Sequence, residues 1–288
     1  MYLHRSLLTF LLLTPLAMAE RIDIDEDTTF PDGTVVPAGD TWRIKDGAVV
    51  TILGSFRVEG SLRVIQSSAI NGNVTCAPGG YINIQNSDMI GQFLAEPGCD
   101  EIRLFADAVL QGDITGGPVR WVSIRMRTTV QGRLHLKIGA KLDIDHSTVD
   151  GNVRAHFVPH EHTNGFDLDT ATVTRGVKIT SEPDVMPNYS IRDSTVGTRG
   201  IFNGADNARI RRTQFGNRLR VAASDYAQVK ECTQLNPLGA IAVVNNTHSR
   251  VSDNVIQGDL RFRKGRQENA SCEAENNTVF GSIIGSCQ

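Results

Sequence analysis

The chain has 288 residues, with 29 lysines and arginines against 32 aspartates and glutamates, and a formal net charge of −3. Beyond the first nineteen residues, no apolar run approaches the roughly twenty residues that a membrane-spanning helix needs, so we expect no membrane span. The five cysteines include no CxxC pair, which argues against a cysteine-bound metal centre.

Residues 1–19 have the three parts of a secretory signal peptide. Arg5 supplies a positive start, LLTFLLLTPL is an apolar run too short to cross a bilayer, and Ala17-Met18-Ala19 is a small-x-small cleavage site before Glu20. We therefore expect a mature chain that begins at Glu20 and lies outside the cytoplasm, in the periplasm or secreted.

Residues 20–60 contain the stretch PAGDTWRIKDGAVVTILGSFRVEG, which has the character of short, irregular strands. We expect this segment to cap the domain formed by residues 61–288 and to cover its open edge.

From residue 61 onward, one short phrase returns about every twenty residues. IDHSTVDGNV, IRDSTVGTRGI and AENNTVFGSI are three versions of it, each with an apolar anchor two places before a corner that is usually glycine. The anchors are Ile70, Met89, Leu110, Val130, Val149, Val173, Val196, Phe215, Leu235, Ile256 and Val279. A period near 21 predicts a solenoid, because each unit can bury its apolar face only against its neighbours.

The chemistry of each unit is that of strands. Segments such as LRVI, KLDID and DLRFR alternate apolar and polar residues, and helical periodicity is not found in the mature chain. Two places before each anchor stands a residue, mostly small or hydroxylated, that we expect to face inward and to hydrogen-bond along the stack: Ser68, Ser87, Ala108, Thr128, Ser147, Ala171, Ser194, Thr213, Thr233, Asn254 and Asn277. The sequence predicts an all-β, single-domain parallel β-helix of about eleven rungs of 19–24 residues.

These phrases resemble the repeat of the right-handed parallel β-helix superfamily, which includes pectate-lyase-like, NosD-like and mannuronan-epimerase-like proteins. The resemblance covers residues 61–288 and implies the right-handed form, since left-handed hexapeptide coils have rungs near eighteen residues. It says less about activity, because the polygalacturonase-like and epimerase-like catalytic signatures are missing. The nearest text to an epimerase-like Asp-Pro-His-Asp is Pro159-His160-Glu161-His162.

Two disulfides and one free thiol are expected for five cysteines in an oxidising compartment. We favour Cys76–Cys99, about one repeat apart, and Cys272–Cys287, which would fasten the C-terminus, although the sequence leaves other pairings open.

Four aspartates make an acidic candidate site. KLDIDHS and GFDLDTA lie one rung apart and place Asp143, Asp145, Asp167 and Asp169 at outward positions. Like charges so close raise one another's pKa or recruit a cation such as Ca²⁺. Pectate-lyase-like enzymes bind calcium through outward aspartates on neighbouring rungs, so the resemblance implies that these four could hold Ca²⁺ here.

A histidine-rich insertion falls between those two rungs. The 24-residue step from Val149 to Val173 contains AHFVPHEHTNG, and we expect its histidines to hang over the acidic patch with His146 nearby. The candidate catalytic residues are Asp143, Asp145, Asp167, Asp169, His160 and His162. The alternative is a solvated surface loop.

Basic residues make the second candidate site. They fall at outward positions after the corner, and with few acidic neighbours they predict a stripe that would bind carboxylates or sulfates: Arg133, His135, Lys137, Arg154, His156, Lys178, Arg218, Arg220, Arg261 and Arg263. The alternative is an ordinary solvated face whose arginine stems cover apolar surface.

Three kinds of function remain open, because a fold alone does not choose among them. The first is an extracytoplasmic β-helix that engages acidic polysaccharide through the basic stripe. The second is a carbohydrate-active enzyme, a uronate lyase or epimerase centred on the acidic patch, and the third is a structural or adhesive rod. We expect no nucleic-acid partner, and the sequence leaves the oligomeric state open.

Overall fold

The computed structural model describes residues 19–161, 164–263 and 270–287. Within those ranges the chain is all-β and winds into one parallel β-solenoid of about 13 turns, each with three strands. Parallel strands of successive turns form three long faces, which we call face one, face two and face three in the order in which each turn visits them. The solenoid class predicted from the repeat is confirmed.

Face one consists of the strands Arg21–Ile24, Thr41–Ile44, Ser61–Val64, Tyr81–Gln85, Cys99–Phe105, the C-terminal halves of Ile114–Arg125 and Leu134–Asp145, Gly165–Asp169, Asn188–Arg192, Asn207–Arg211, Tyr226–Lys230, His248–Ser252 and Ser271–Glu275. Face two consists of Thr28–Phe30, Val49–Ile52, Ala69–Asn71, Asp88–Ile90, Val109–Gln111, Thr129–Val130, Thr148–Val149, Thr172–Val173, Thr195–Val196, Gln214–Phe215, Thr233–Gln234, Val255–Ile256 and Thr278–Val279. Face three consists of Thr34–Val36, Phe56–Val58, Val74–Cys76, Phe93–Ala95, the N-terminal halves of Ile114–Arg125 and Leu134–Asp145, Val153–Phe157, Val177–Ser181, Arg199–Asn203, Arg218–Ala222, Ala240–Val244, Asp259–Arg263 and Ile283–Ile284.

The number of turns differs from the predicted eleven. Residues 61–284 supply the eleven, and residues 21–58 wind into two more in the same register, with Trp42 paired to Ile22 on one side and to Leu62 on the other. The Phe30 and Phe56 rings stack at 5.4 Å inside these first turns. Their repeat escaped the sequence pattern because the corner phrase is not present there, while the inward apolar positions are.

The core is a column of apolar residues inside the three faces, and the predicted anchors lie in it with one exception. Phe215 on face two pairs with Gln234, which pairs in turn with Ile256, so Gln234 takes the place predicted for Leu235. Leu235 is 45% exposed, whereas Gln234 is fully buried. The glutamine is tolerated inside because its Nε2 donates to the carbonyls of Asn217 and Asn236, both at 2.6 Å.

The corner between faces one and two explains the column of small inward residues. Most turns place one residue there in the left-handed region, such as Asn86 with φ 47° and Asp193 with φ 50°. The next residue then points inward, and its hydroxyl donates to the carbonyl two positions earlier, at 2.9 Å in Ser87 and 2.7 Å in Ser194. The expected bonding between turns occurs at Asn254, whose Nδ2 donates to Asn277 Oδ1 at 2.8 Å. A short hydroxylated side chain therefore closes the corner.

The corner between faces two and three has a different requirement. A Cβ added at Gly112 would lie 1.8 Å from the carbonyl oxygen of Gly91 in the turn below. Glycine recurs at this corner because the backbones of successive turns touch there.

Both favoured disulfides are present, Cys76–Cys99 and Cys272–Cys287, and Cys232 is a buried free thiol. Disulfides of this kind are typical of an oxidising, extracytoplasmic environment. Within the described ranges, no helix is long and apolar enough to cross a membrane.

Candidate anion-binding face

The predicted basic residues lie on face three, and the strand register stacks some of them directly. His135 pairs with Arg154, and Arg154 pairs with Lys178, on three successive turns. A second outward column beside the first contains Lys137 paired with His156. Neighbouring turns of a sheet are about 4.8 Å apart, so these five side chains crowd one small area.

The central cations of this group lack anionic partners. Lys137, Arg154 and Lys178 are exposed, and none of them forms an ion pair with a residue in the described part of the chain. By contrast, Arg133 pairs with Asp113 at 2.8 Å, and His156 accepts or donates a hydrogen bond with Thr180 Oγ1 at 2.9 Å. We call Lys137, Arg154 and Lys178 the unpaired cluster.

A groove of about 540 Å³ runs over the unpaired cluster. The groove is also lined by His135 and Thr180 and by two glycines, Gly116 and Gly117. Its volume lies within the 300–1,000 Å³ typical of ligand sites. The geometry therefore offers several cationic donors to one ligand on an open surface.

The predicted stripe is not continuous along face three. Ile201 follows Lys178 in the central column, and Ala242 separates Arg220 from Arg261. The other basic residues form two smaller groups, Arg218 with Arg220 and Arg261 with Arg263. Of these, Arg261 pairs with Asp259 at 2.8 Å, which keeps the pKa of that carboxyl below its usual range. The unpaired cluster differs from these two groups because its three cations line one groove.

The acidic candidate site has the predicted register, and its carboxylates are paired with basic side chains. Asp143 pairs with Asp167, and Asp145 with Asp169, on face one. Each carboxylate has a cationic or imidazole partner: Arg125 Nε at 2.5 Å for Asp143, Lys141 at 2.7 Å for Asp167, His146 at 2.6 Å for Asp145 and Arg192 at 2.5 Å for Asp169. Among the described residues, no group of three or more His, Cys, Asp or Glu is placed to hold a metal ion. This geometry gives no support to calcium binding by these four residues.

His146 lies beside the carboxylates, with its Nδ1 2.6 Å from Asp145 Oδ1, whereas His156 does not lie over them. His156 lies on face three, in the groove. His160 lies against the corner between faces three and one, where a Cβ added at Gly139 would be 2.8 Å from its Cδ2. The insertion follows that corner because Val158 N donates to Ile138 O at 3.0 Å. His162 lies outside the described residues.

Sequence reasoning missed a second depression, on face one. It has a volume of about 370 Å³ and is lined by Glu101, Arg103, Trp121, Val122, Ser123, Arg125, Lys141, Asp143 and Asn164. Trp121 is 40% exposed at an outward strand position. Burial raises the pKa of Glu101, its register neighbour, against the opposing effect of Arg103. The signal in the sequence was a tryptophan with outward parity in WVSIRM.

The fold and the two depressions define a parallel β-solenoid with a cationic groove on one face. No protein-family model matches the sequence, and comparisons with curated proteins and with solved structures find no similar chain. We therefore infer a function from the geometry of this chain.

Proposed function

We propose that the protein is a secreted or periplasmic β-helix that engages acidic polysaccharide through face three. The observation that carries the proposal is the unpaired cluster, three cations on three successive turns within one groove. The signal-like leader at residues 1–19 and the two disulfides support the location.

The energetics favour a binding surface over an ordinary solvated face. Cations stacked at about 4.8 Å repel each other, and that repulsion is relieved when an anion is bound. Some arginines elsewhere are neutralised by a neighbouring carboxylate, as in Arg127–Asp107 at 2.6 Å and Arg212–Asp193 at 2.6 Å, and the unpaired cluster differs from them in this respect. A ligand with regularly spaced carboxylates fits the unpaired cluster, because guanidinium binds carboxylate in a bidentate manner.

A uronate lyase or epimerase is the second candidate, favoured by the in-register pairing of Asp143 with Asp167. Their pairing with Arg125 and Lys141 makes binding without catalysis the better-supported function.

Calorimetric titration with polygalacturonate, alginate, heparin and neutral dextran tests the proposal. We expect affinity for the polyanions, a steep loss of that affinity with added salt, and no affinity for dextran. Equal binding of dextran would contradict the proposal, and no binding at low salt would favour a structural rod. The absorbance of unsaturated uronate, followed with and without Ca²⁺, reports lyase activity in the same samples.

A further inference from the structure

The groove on face three and the depression on face one lie on either side of a single corner. The strands Ile114–Arg125 and Leu134–Asp145 run through that corner without interruption. Lys137 lines the groove and Lys141 lines the depression. Four residues of extended strand span about 13 Å, so the two sites are neighbours.

The corner between them contains two consecutive glycines. Gly116 and Gly117 both have positive φ, 105° and 100°. A Cβ at Gly116 would lie 2.1 Å from Ala95 O, and one at Gly117 would lie 2.3 Å from Lys137 O. Packing against the turns below and above therefore excludes side chains at both positions, so neither residue places a side chain between the groove and the depression. On the face-one side of this corner, Asn164 lines the depression.

The face-one depression has the chemistry of a sugar subsite. Trp121 offers an aromatic surface that is 40% exposed, and the Arg120 guanidinium lies over its ring at 5.3 Å from the ring centroid. Glu101 and Lys141 are its register neighbours on the turns before and after. An apolar platform surrounded by a few convergent polar groups suits a ring that has C–H bonds on one face and hydroxyls at its rim.

We propose that this depression is a second subsite for the same polysaccharide, in which a sugar ring lies against Trp121 while the chain crosses the Gly116-Gly117 corner into the groove. The inference depends on the proposed function, because the groove has to hold the remainder of the ligand.

The chain offers a direct reporter for this subsite. It has two tryptophans, and Trp42 packs against Phe30 and Phe56 in the N-terminal turns, at 5.4 Å and 6.1 Å between ring centroids. In a Trp42→Phe background, all tryptophan emission comes from Trp121. Titration with a galacturonate octamer should change that emission with the same midpoint as the calorimetric signal. Trp121→Ala, tested in the natural background, should weaken octamer binding by about three- to tenfold.

The outcomes separate the two proposals. If the octamer binds and Arg154→Ala weakens it, but Trp121 emission and the Trp121→Ala affinity are unchanged, the subsite is refuted and the proposed function stands. If emission responds equally when Arg154 and Lys178 are both replaced by alanine, the two sites are independent and the crossing is refuted. If the octamer binds to no variant, both proposals fail.

Discussion

Replacement of Arg154 by alanine tests whether the unpaired cluster binds polyanion. Arg154 has Lys178 and His135 as register neighbours and no ion pair among the described residues, so a carboxylate on the ligand is its natural partner. Exposed ion pairs contribute about 0.2–1 kcal/mol and hydrogen bonds to charged groups about 1.5–3 kcal/mol. For a groove open on one side we take about 1 kcal/mol, which weakens Kd roughly fivefold.

The same substitution should leave stability unchanged or slightly higher. Two like charges about 5 Å apart in water repel by about 0.8 kcal/mol, and salt reduces this to a few tenths, so no stabilising contact is lost. Loss of affinity together with retained stability is the pattern of a residue kept for binding.

The assay is calorimetric titration with polygalacturonate at low salt, with Arg209→Ala as the matched control. Arg209 is an exposed arginine on face one, hydrogen-bonded to Asn207 at 3.2 Å, and its removal changes the net charge equally. An equal loss of affinity in the two variants would show that total charge, and not the groove, controls binding. That result would refute the reasoning.

Three further predictions concern the solenoid itself. Phe202 is fully buried and its ring lies 6.3 Å from that of Phe166, so Phe202→Ala should lower the free energy of unfolding by about 3–5 kcal/mol in a denaturant titration. Ile201 occupies the neighbouring outward position, and Ile201→Ala should lower the free energy of unfolding by about 1 kcal/mol or less. Equal losses in the two variants would contradict the inward position of Phe202. Cys76 and Cys99 are 23 residues apart, and replacing both by alanine should lower the free energy of unfolding by about 3 kcal/mol in the same assay. An unchanged denaturation midpoint would contradict the expected constraint of this disulfide on the unfolded chain. Burial holds the pKa of Glu101 above its usual range, so the folded protein binds this proton more tightly than the unfolded chain does, and ionisation at higher pH reduces stability. Glu101→Gln should therefore raise Tm at pH 7 and leave it unchanged near about pH 3.5, where the carboxyl is protonated in both the folded and the unfolded chain. A lower Tm for the variant at pH 7 would show that the folded protein stabilises the ionised carboxylate.

Where the repeat was strict, the sequence correctly predicted which residues of successive turns share a register. Asp143 and Asp167 pair as the spacing required, because equal positions in successive copies must share a register. The prediction failed at Leu235, since a buried glutamine with three hydrogen bonds can replace an apolar anchor and shift the frame by one residue.

The sequence could not show which partners each side chain contacts. Asp143 is neutralised by Arg125, 18 positions away, and nothing in a local motif signals such a partner. Backbone hydrogen bonds attach the histidine insertion to the corner at both ends, from Val158 N to Ile138 O and from Asn164 N to Ala140 O, and no local motif signals them. Trp121 was visible as an outward aromatic residue, but its neighbours in the depression come from several turns.

Lysine acetylation followed by mass spectrometry, with and without saturating polygalacturonate, tests the central claim most directly. Lys137 and Lys178 are exposed on face three, while Lys45 and Lys230 lie on or beside face one, paired with Asp46 at 2.7 Å and Glu231 at 3.2 Å. We expect the ligand to slow acetylation at Lys137 and Lys178 and high salt to restore it, with no change at Lys45 and Lys230. Equal protection at all four lysines, or protection confined to Lys45 and Lys230, would contradict binding on face three.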